Sequence, residues 1–572
     1  MKSLSTVSQY LRIKITPLLV VSVFIIYTLI CFGFYLERTL GGDINKHILA
    51  GEMFGTPADL QARGIKPLYV GEGQTGWDGQ FYYYIANDLL GLKDTAEHID
   101  APSYRYQRIG MSLYAALTSK VFLQDWVSPG WYLGSYFLLL IAATYSGALV
   151  FRRLNASPAW ILLWALSPGT QFTLFNALPD AAADGFLILG IAALLARRYA
   201  LAIVPLSFAA LSREVYVLIP SAVLMFHLIG LLRDADGKLI FSPAILLRKF
   251  LIWQKYYLLF IPGMLTIFWQ FYIVLHFGVR PSEQAHGILG LPFSAWYEYF
   301  VSGISGNHEL VGVGLLAYAE AASLLAFLGV LILAVLAVLR LSKTESSTGS
   351  EVPKGLSFAT LLLVVLYSCF GPTVIMHYTG YFKALALFFF VVPLLYIFSG
   401  AGRYRLRIVC IVLFSSLTLV SVYNLWVRVL PSKNFDEYTN LSKISDSRRL
   451  ECFDDYGFKA EVLALESHGV SFLSSVFGGG EYLVLRLKLT NTSSNEFVST
   501  RNFGSIHMSY HWVDASGKVI LDGVRSAILE KIPPGQSSNI SVVSFLPSNS
   551  ETATLKLSPV QEGCAWFYIS NN

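Results

Sequence analysis

Apolar runs recur along the first 430 residues, at about 15–35, 130–151, 158–176, 181–196, 199–212, 214–233, 256–278, 312–341, 357–377, 382–400 and 405–427. Most approach the ~20 residues that a helix needs to cross a hydrocarbon core. The pattern predicts an α-helical polytopic membrane protein with about eleven transmembrane helices. Composition agrees: 14% of residues are charged, where soluble domains carry about a quarter. The formal net charge of +5 is small for 572 residues, and no Lys/Arg block forms a nucleic-acid tail. The run Ile15 to Phe34 is followed by Tyr-Leu-Glu-Arg and no small-residue cleavage site, so it is expected to be a retained first helix.

Lys and Arg in short loops orient such spans. Lys2, Arg12 and Lys14 precede the first run. Arg152-Arg153, Arg197-Arg198, Lys238/Arg248/Lys249/Lys255, Arg340/Lys343/Lys354 and Arg403/Arg405/Arg407 then fall at every second turn of the chain. All lie on one side if the N-terminus is cytoplasmic. The same count places 36–129, 279–311 and everything after 428 outside. Within the first of these loops, Ile109 to Leu123 is apolar. Reading it as a span would break the phase of the basic clusters, so it is expected to lie along the outer membrane surface.

After Val427 the composition changes. Residues 431–449 read as a polar linker, and 450–572 as an extracytoplasmic β-sandwich. Its expected strands are Lys459–Leu465, Glu481–Leu489, Ile506–Val513, Lys518–Leu521, Ile540–Phe545, Ala553–Leu557 and Ala565–Ile569, separated by Gly-, Asn- and Pro-rich turns. Cys452 and Cys564 lie near the two ends of this region, where an oxidising compartment permits a disulfide. Tyr510 and Trp512 share a strand face and serve either as core, the favoured reading, or as a sugar platform. Cys31, Cys369 and Cys410 lie in apolar runs and are expected to pack.

Two segments of the loop 36–129 mix ionisable groups with aromatics: Gly76-Trp-Asp-Gly-Gln-Phe-Tyr-Tyr-Tyr84 and Asp100-Ala-Pro-Ser-Tyr-Arg-Tyr-Gln-Arg108. Aromatic faces stack on sugar rings, and carboxylates accept hydroxyl hydrogen bonds. An interfacial aromatic belt is the plainer alternative, but it needs neither Asp-Gly at its centre nor two arginines three apart.

The order of these features resembles the GT-C superfamily of multi-spanning glycosyltransferases, which use polyprenyl-phosphate sugars. Trp77-Asp78-Gly79-Gln80-Phe81-Tyr82 is similar to the Asp-Gly-Gln-Phe-Tyr motif of bacterial members. Tyr104-Arg105-Tyr106-Gln107-Arg108 is similar to the Tyr-Arg-Tyr-x-Arg run that follows it, and Leu211-Ser212-Arg213-Glu214 to their Leu-Thr-Arg-Glu segment. The resemblance spans roughly residues 10–430, which it casts as a transmembrane catalytic domain. It implies a bacterial inner-membrane enzyme that inverts the anomeric centre while moving a sugar from polyprenyl phosphate to a glycan, lipid or protein acceptor.

Such a reaction needs a carboxylate to take the acceptor's proton, with Asp78 first and Asp100 second in line. The departing phosphate needs fixed cations, and the candidates are Arg105, Arg108, Arg213 and Lys383. Trp77, Gln80, Tyr82, Tyr104, Asp180, Asp184, Glu214 and His377 are expected to line the substrates. Each has a structural alternative. Asp78 caps a helix or shapes a turn; Arg105, Arg108 and Lys383 anchor headgroups; Arg213 and Glu214 pair to hold two short helices; Asp180 and Asp184 cap a helix. The motif carries no Asp-Asp or Asp-Glu pair, so a divalent metal is permitted but not required, and His286 and His308 lack zinc spacing. Two other classes stand beside the enzyme: a glycolipid flippase, which would place charges at the midplane, and a glycan-binding scaffold.

Overall fold

The computed structural model describes residues 15–38, 40–68, 76–232, 254–283, 288–300, 315–343, 351–375 and 378–400 of the helical region. In the C-terminal region it describes 452–468, 482–498, 506–523, 526–528, 531–546, 553–561 and 564–570. The expected span 405–427, the linker 431–449 and His377 lie outside the described residues.

Among the described residues, seven helices are long and apolar enough to cross a membrane: Pro17–Glu37, Pro129–Arg153, Glu214–Leu231, Leu258–Phe277, Ala321–Ser342, Glu351–Ser368 and Gly380–Phe398. The shorter Asp180–Leu195 and Tyr199–Ser212 helices match two further expected spans. In the most apolar stretch of Gly380–Phe398 83% of the residues are buried, which puts it at the centre of the described helices, whereas in Leu258–Phe277 17% are, which puts it at their rim. The rim helix still holds the loop 88–107. Trp269 donates to the Tyr106 carbonyl, Tyr272 to that of Leu90, and the His276 ring meets that of Gly91.

The run 158–176 departs from expectation. It is not one helix but three short pieces, Pro158–Ile161, Leu162–Ala165 and Pro168–Phe175. Ser157-Pro158 opens the first piece, which runs directly into the second, and Ser167-Pro168 makes the break before the third. Ser157 and Ser167 each accept a hydrogen bond from a following backbone amide, and the proline fills the first helical position. The freed polar groups are met inside the bundle, where Gln171 donates to the Ala165 carbonyl at 2.8 Å.

The loop between the first two long helices folds against the bundle. Gly79 and Gly110 permit the contact. A Cβ at Gly79 would meet the Asn176 carbonyl oxygen at 1.9 Å, and one at Gly110 would meet Ser212 Oγ at 2.2 Å. The helix Gly110–Val121 has 12 residues, about 18 Å at the α-helical rise, too short for a ~30 Å core. It exposes Leu117, Val121, Phe122 and Leu123 at its end.

The C-terminal strands form two sheets around one core. One runs β1(Phe458–His468)-β2(Tyr482–Asn491)-β6(Ser537–Phe545). The other runs β4(Val519–Asp522)-β3(Ile506–Val513)-β7(Thr554–Gln561)-β8(Ala565–Trp566), with β5(Ser526–Ala527) also on β3. The pairs are antiparallel. Alternate residues point inward: Leu485, Leu487 and Leu489 from β2, Met508, Tyr510 and Trp512 from β3, Ile540 and Val542 from β6. Tyr510 and Trp512 are therefore core, and Trp512 Nε1 donates across the sandwich to Ser544 Oγ at 3.1 Å. The expected last strand is two residues long and turns into the helical turn Phe567–Ser570. The two-residue β5 was not expected.

Cys452 and Cys564 are joined, closing a separation of 112 residues. A loop of this size restrains the unfolded chain strongly. Replacing Cys452 by Ser is expected to destabilise the β-domain by about 2–5 kcal/mol. The checks are a lower melting transition in the full chain and loss of the mass shift on reduction.

Candidate functional site

The site is built around Arg105, in the last turn of the short helix Pro102–Tyr106. Its Nε and Nη2 grip both oxygens of Asp100 at 2.9 and 2.7 Å, and its Nη1 donates to Asp78 Oδ2 at 2.9 Å. Asp78 occupies the cap position of the Gly79–Asn87 helix, but its side chain makes no capping bond. Its carboxylate turns to Arg105 instead. Oδ1 of Asp78 has no protein partner among the described residues, and the side chain is 44% exposed. Asp100 has no such spare oxygen on both sides: Oδ1 also accepts from the Ala101 amide.

Burial alone would push the Asp78 carboxyl up. The charge of Arg105, then that of Lys383, the Arg105 hydrogen bond and the charge of Arg108 outweigh it, and hold the group below the usual carboxylate range. Asp78 is thus an anion at neutral pH.

Arg108 is also occupied. Its Nε and Nη2 meet the two oxygens of Glu214 at 3.1 and 3.0 Å, across 106 residues of sequence. The ring of Tyr104 lies beneath both guanidinium groups, 5.5 Å from Arg105 and 4.8 Å from Arg108. Tyr82 and Phe81 lie under Arg105 on the other element.

Arg213 and Glu214 do not pair with each other among the described residues, contrary to the structural alternative drawn from sequence. Arg213 has extended backbone between two helices, so it and the next residue point to opposite sides. Glu214 turns to the loop. Arg213 turns inward, where Nη1 donates to Tyr216 Oη at 3.2 Å and to the Ala384 carbonyl at 3.1 Å. Tyr216 in turn donates to Asp184 Oδ1, and Trp164 Nε1 donates to Asp184 Oδ2 at 3.0 Å. Lys383, beside Ala384, makes no hydrogen bond or ion pair among the described residues, and its charge acts on Asp78.

The fold therefore gathers Asp78, Asp100, Tyr104, Arg105, Arg108, Asp180, Asp184, Arg213, Glu214 and Lys383 into one region, where several helices begin. Trp77 packs edge-on against Phe172. Gln80 is fully buried, and its Oε1 accepts from the Gly51 amide, so it fixes the loop. Tyr82 is almost fully buried beneath the arginine. Sequence reasoning missed Trp164, Tyr216 and the Ala384 carbonyl. Tyr216 was within reach of notice, three residues from Arg213; a backbone carbonyl gives no sequence signal.

The half-buried Arg108–Glu214 pair carries a test of how the loop is held. Breaking it by Glu214→Gln leaves Arg108 without its charge partner, which is expected to cost about 1–3 kcal/mol, less than for a fully buried pair. Adding Arg108→Met should recover most of that loss. Thermal melts of the single and double variants in detergent measure it.

No protein-family model matches the chain, and comparison with curated proteins finds no match. Among solved structures, the chain is similar to the cryo-EM structure of arabinosyltransferase EmbB from Mycobacterium smegmatis, at 11% identity and a TM-score of 0.30. The match covers 84% of this chain and 63% of that one, so the chain spans less than two-thirds of that protein's length. The functional reading rests on the residues of the chain itself.

Proposed function

We propose that the chain is an integral-membrane glycosyltransferase that moves a sugar from a polyprenyl-phosphate donor to a hydroxyl acceptor, with Asp78 as general base. One observation carries the reading: an ionised carboxylate with one oxygen engaged by Arg105 and the other without a partner among the described residues. It stands beside Arg213 and Lys383, which have no acidic partner within ion-pair distance among the described residues.

In this reaction the acceptor oxygen attacks the anomeric carbon. The carbon–oxygen bond to the lipid phosphate breaks, its electron pair stays on the phosphate, and the hydroxyl proton passes to Asp78 Oδ1. A single displacement inverts the anomeric configuration. Asp100 holds Arg105 and so positions Asp78, which makes Asp78 the better of the two acids for the role. The phosphate gains charge as it leaves and is stabilised by cations already in place. Arg105 and Arg108 are each satisfied by carboxylates, so the role falls to Arg213 and Lys383. Arg213 Nε and Nη2 have no partner among the described residues. Tyr104 supplies a ring edge beside the sugar. Among the described residues no three His, Cys, Asp or Glu side chains cluster as a metal site.

The basic loops support an extracytoplasmic face for the reaction, and the motif resemblance supports a bacterial inner membrane. The β-sandwich would then stand on the same side as the site and meet the acceptor.

Asp78→Asn is expected to lower kcat by roughly 10²–10⁴-fold, the usual contribution of a general base. The measurement is transfer of radiolabelled sugar from polyprenyl phosphate by the purified chain in nanodiscs. Unchanged transfer would remove Asp78 from the mechanism. The pH profile supplies a second check. The base must be deprotonated to act, and its pKa is depressed. The acid limb of kcat/KM should therefore fall below the range of an ordinary carboxylate, near 3.9, leaving the rate flat from pH 8 to about 5. A limb centred near 6 would contradict the assignment.

A further inference from the structure

Two buried ions of opposite charge in the site have no ion-pair partner among the described residues, although the Arg213 guanidinium lies over the Tyr216 and Tyr367 rings. Asp180 opens the helix Asp180–Leu195 and is 7% exposed; Arg213 is 6% exposed. Among the described residues the Asp180 carboxylate makes no hydrogen bond or ion pair, and Arg213 keeps Nε and Nη2 free. The two lie within electrostatic reach of each other, and Asp180 acts on Tyr104 and Tyr367 as well. They do not approach to within ion-pair distance.

A buried unpaired charge is costly, and two opposite ones would be expected to close on each other. They are held apart by their supports. Arg213 is tied by Nη1 to Tyr216 and Ala384. Asp180 is fixed at the start of its helix, where the aligned backbone amides favour a carboxylate. A ligand that satisfies both must present an anion to Arg213 and a hydrogen-bond donor to Asp180, two groups within electrostatic reach of each other.

A metal ion would serve Asp180 alone. The only carboxylate close by on the same helix is Asp184, whose two oxygens are already taken by Tyr216 and Trp164. A glycosyl phosphate meets both demands: the phosphate sits on the anomeric carbon, and the neighbouring ring carbon carries a hydroxyl.

We infer that Asp180 reads the transferred sugar, by accepting a hydrogen bond from the ring hydroxyl next to the anomeric carbon while Arg213 holds the phosphate. This rests on the glycosyltransferase reading of the same site. It narrows the donor to sugars with a free hydroxyl at that position, and it makes Asp180 a specificity-determining residue separate from the base.

The test measures binding, so it does not require the acceptor. The intact chain in nanodiscs is titrated with farnesyl phosphate and with farnesyl-phosphoryl glucose, mannose and galactose. The 2-deoxy counterpart of the best-bound member is titrated alongside. The wild type should bind that sugar at least tenfold more tightly than its 2-deoxy form. Asp180→Asn should reduce the ratio below threefold while farnesyl phosphate still binds as in the wild type, which also reports an intact fold. Asp180→Ala is the second variant if the Asn protein is not monodisperse.

The same ratio in the variants and the wild type overturns the inference and leaves the glycosyltransferase reading standing. A wild type that binds the glycosyl lipids without discrimination does the same. Discrimination that disappears on chelation of divalent cations assigns Asp180 to a metal and also overturns it. A wild type that binds none of the lipids removes both the inference and the reading on which it rests.

Discussion

The three-edged grip on Arg105 is the interaction on which the site depends. A guanidinium offers a bidentate edge and a further donor, and here the two are divided between acids. Asp100, five residues away, takes the bidentate edge; Asp78, 27 residues away, takes Nη1. Were Asp100 absent, the bidentate edge would be free to engage both oxygens of Asp78. The local pair thus decides that the distant carboxylate keeps one oxygen free. It also adds a second negative charge beside a single positive one, and the field of Lys383 offsets that excess.

The cations of the site divide by function. Arg105 and Arg108 each meet carboxylates on two nitrogens or more, and both tie the loop down, one within itself and one to the bundle at Glu214. Arg213 and Lys383 have no acidic partner within ion-pair distance among the described residues. A positive group of this kind gains more from an incoming anion, because no existing ion pair must be broken. The separation between holding and binding cations follows from where the acids lie, and chain spacing alone does not reveal it.

How much was legible in the sequence follows the same division. Apolar periodicity located the long helices, because burial in lipid leaves a signal over some twenty residues. It failed at 158–176, where Ser167-Pro168 interrupts the apolar run. The β region was legible as alternation, with Ile506–Val513 found residue for residue, and Tyr510 and Trp512 correctly assigned to the core. The motifs pointed to Asp78, Arg105, Arg108 and Arg213 as members of one region. Their pairing was not legible. Asp78 with Arg105, Arg108 with Glu214, and Arg213 with Ala384 span 27, 106 and 171 residues. Nothing local distinguishes an arginine that will be neutralised from one that will stay open. Gln80 shows the converse: it sits inside the motif, yet its oxygen serves the Gly51 amide.

The dipeptide Arg213-Glu214 shows how one backbone conformation sorts these roles. Adjacent opposite charges suggest a local pair, and on a continuous helix they would point about 100° apart on one surface. Here the Tyr199–Ser212 helix ends, Arg213 takes extended dihedrals of φ −152° and ψ 107°, and a new helical turn starts at Glu214. The extended residue sends the two side chains to opposite sides. Glu214 reaches Arg108 and fixes the loop, while Arg213 enters the bundle and is oriented by Tyr216, itself held by Asp184. The helix break therefore spends one acid on architecture and leaves one base with open donors. An unbroken helix through the same residues would keep both charges but present neither to its present partner. The interruption between these two apolar helices is what makes the site's electrostatics possible.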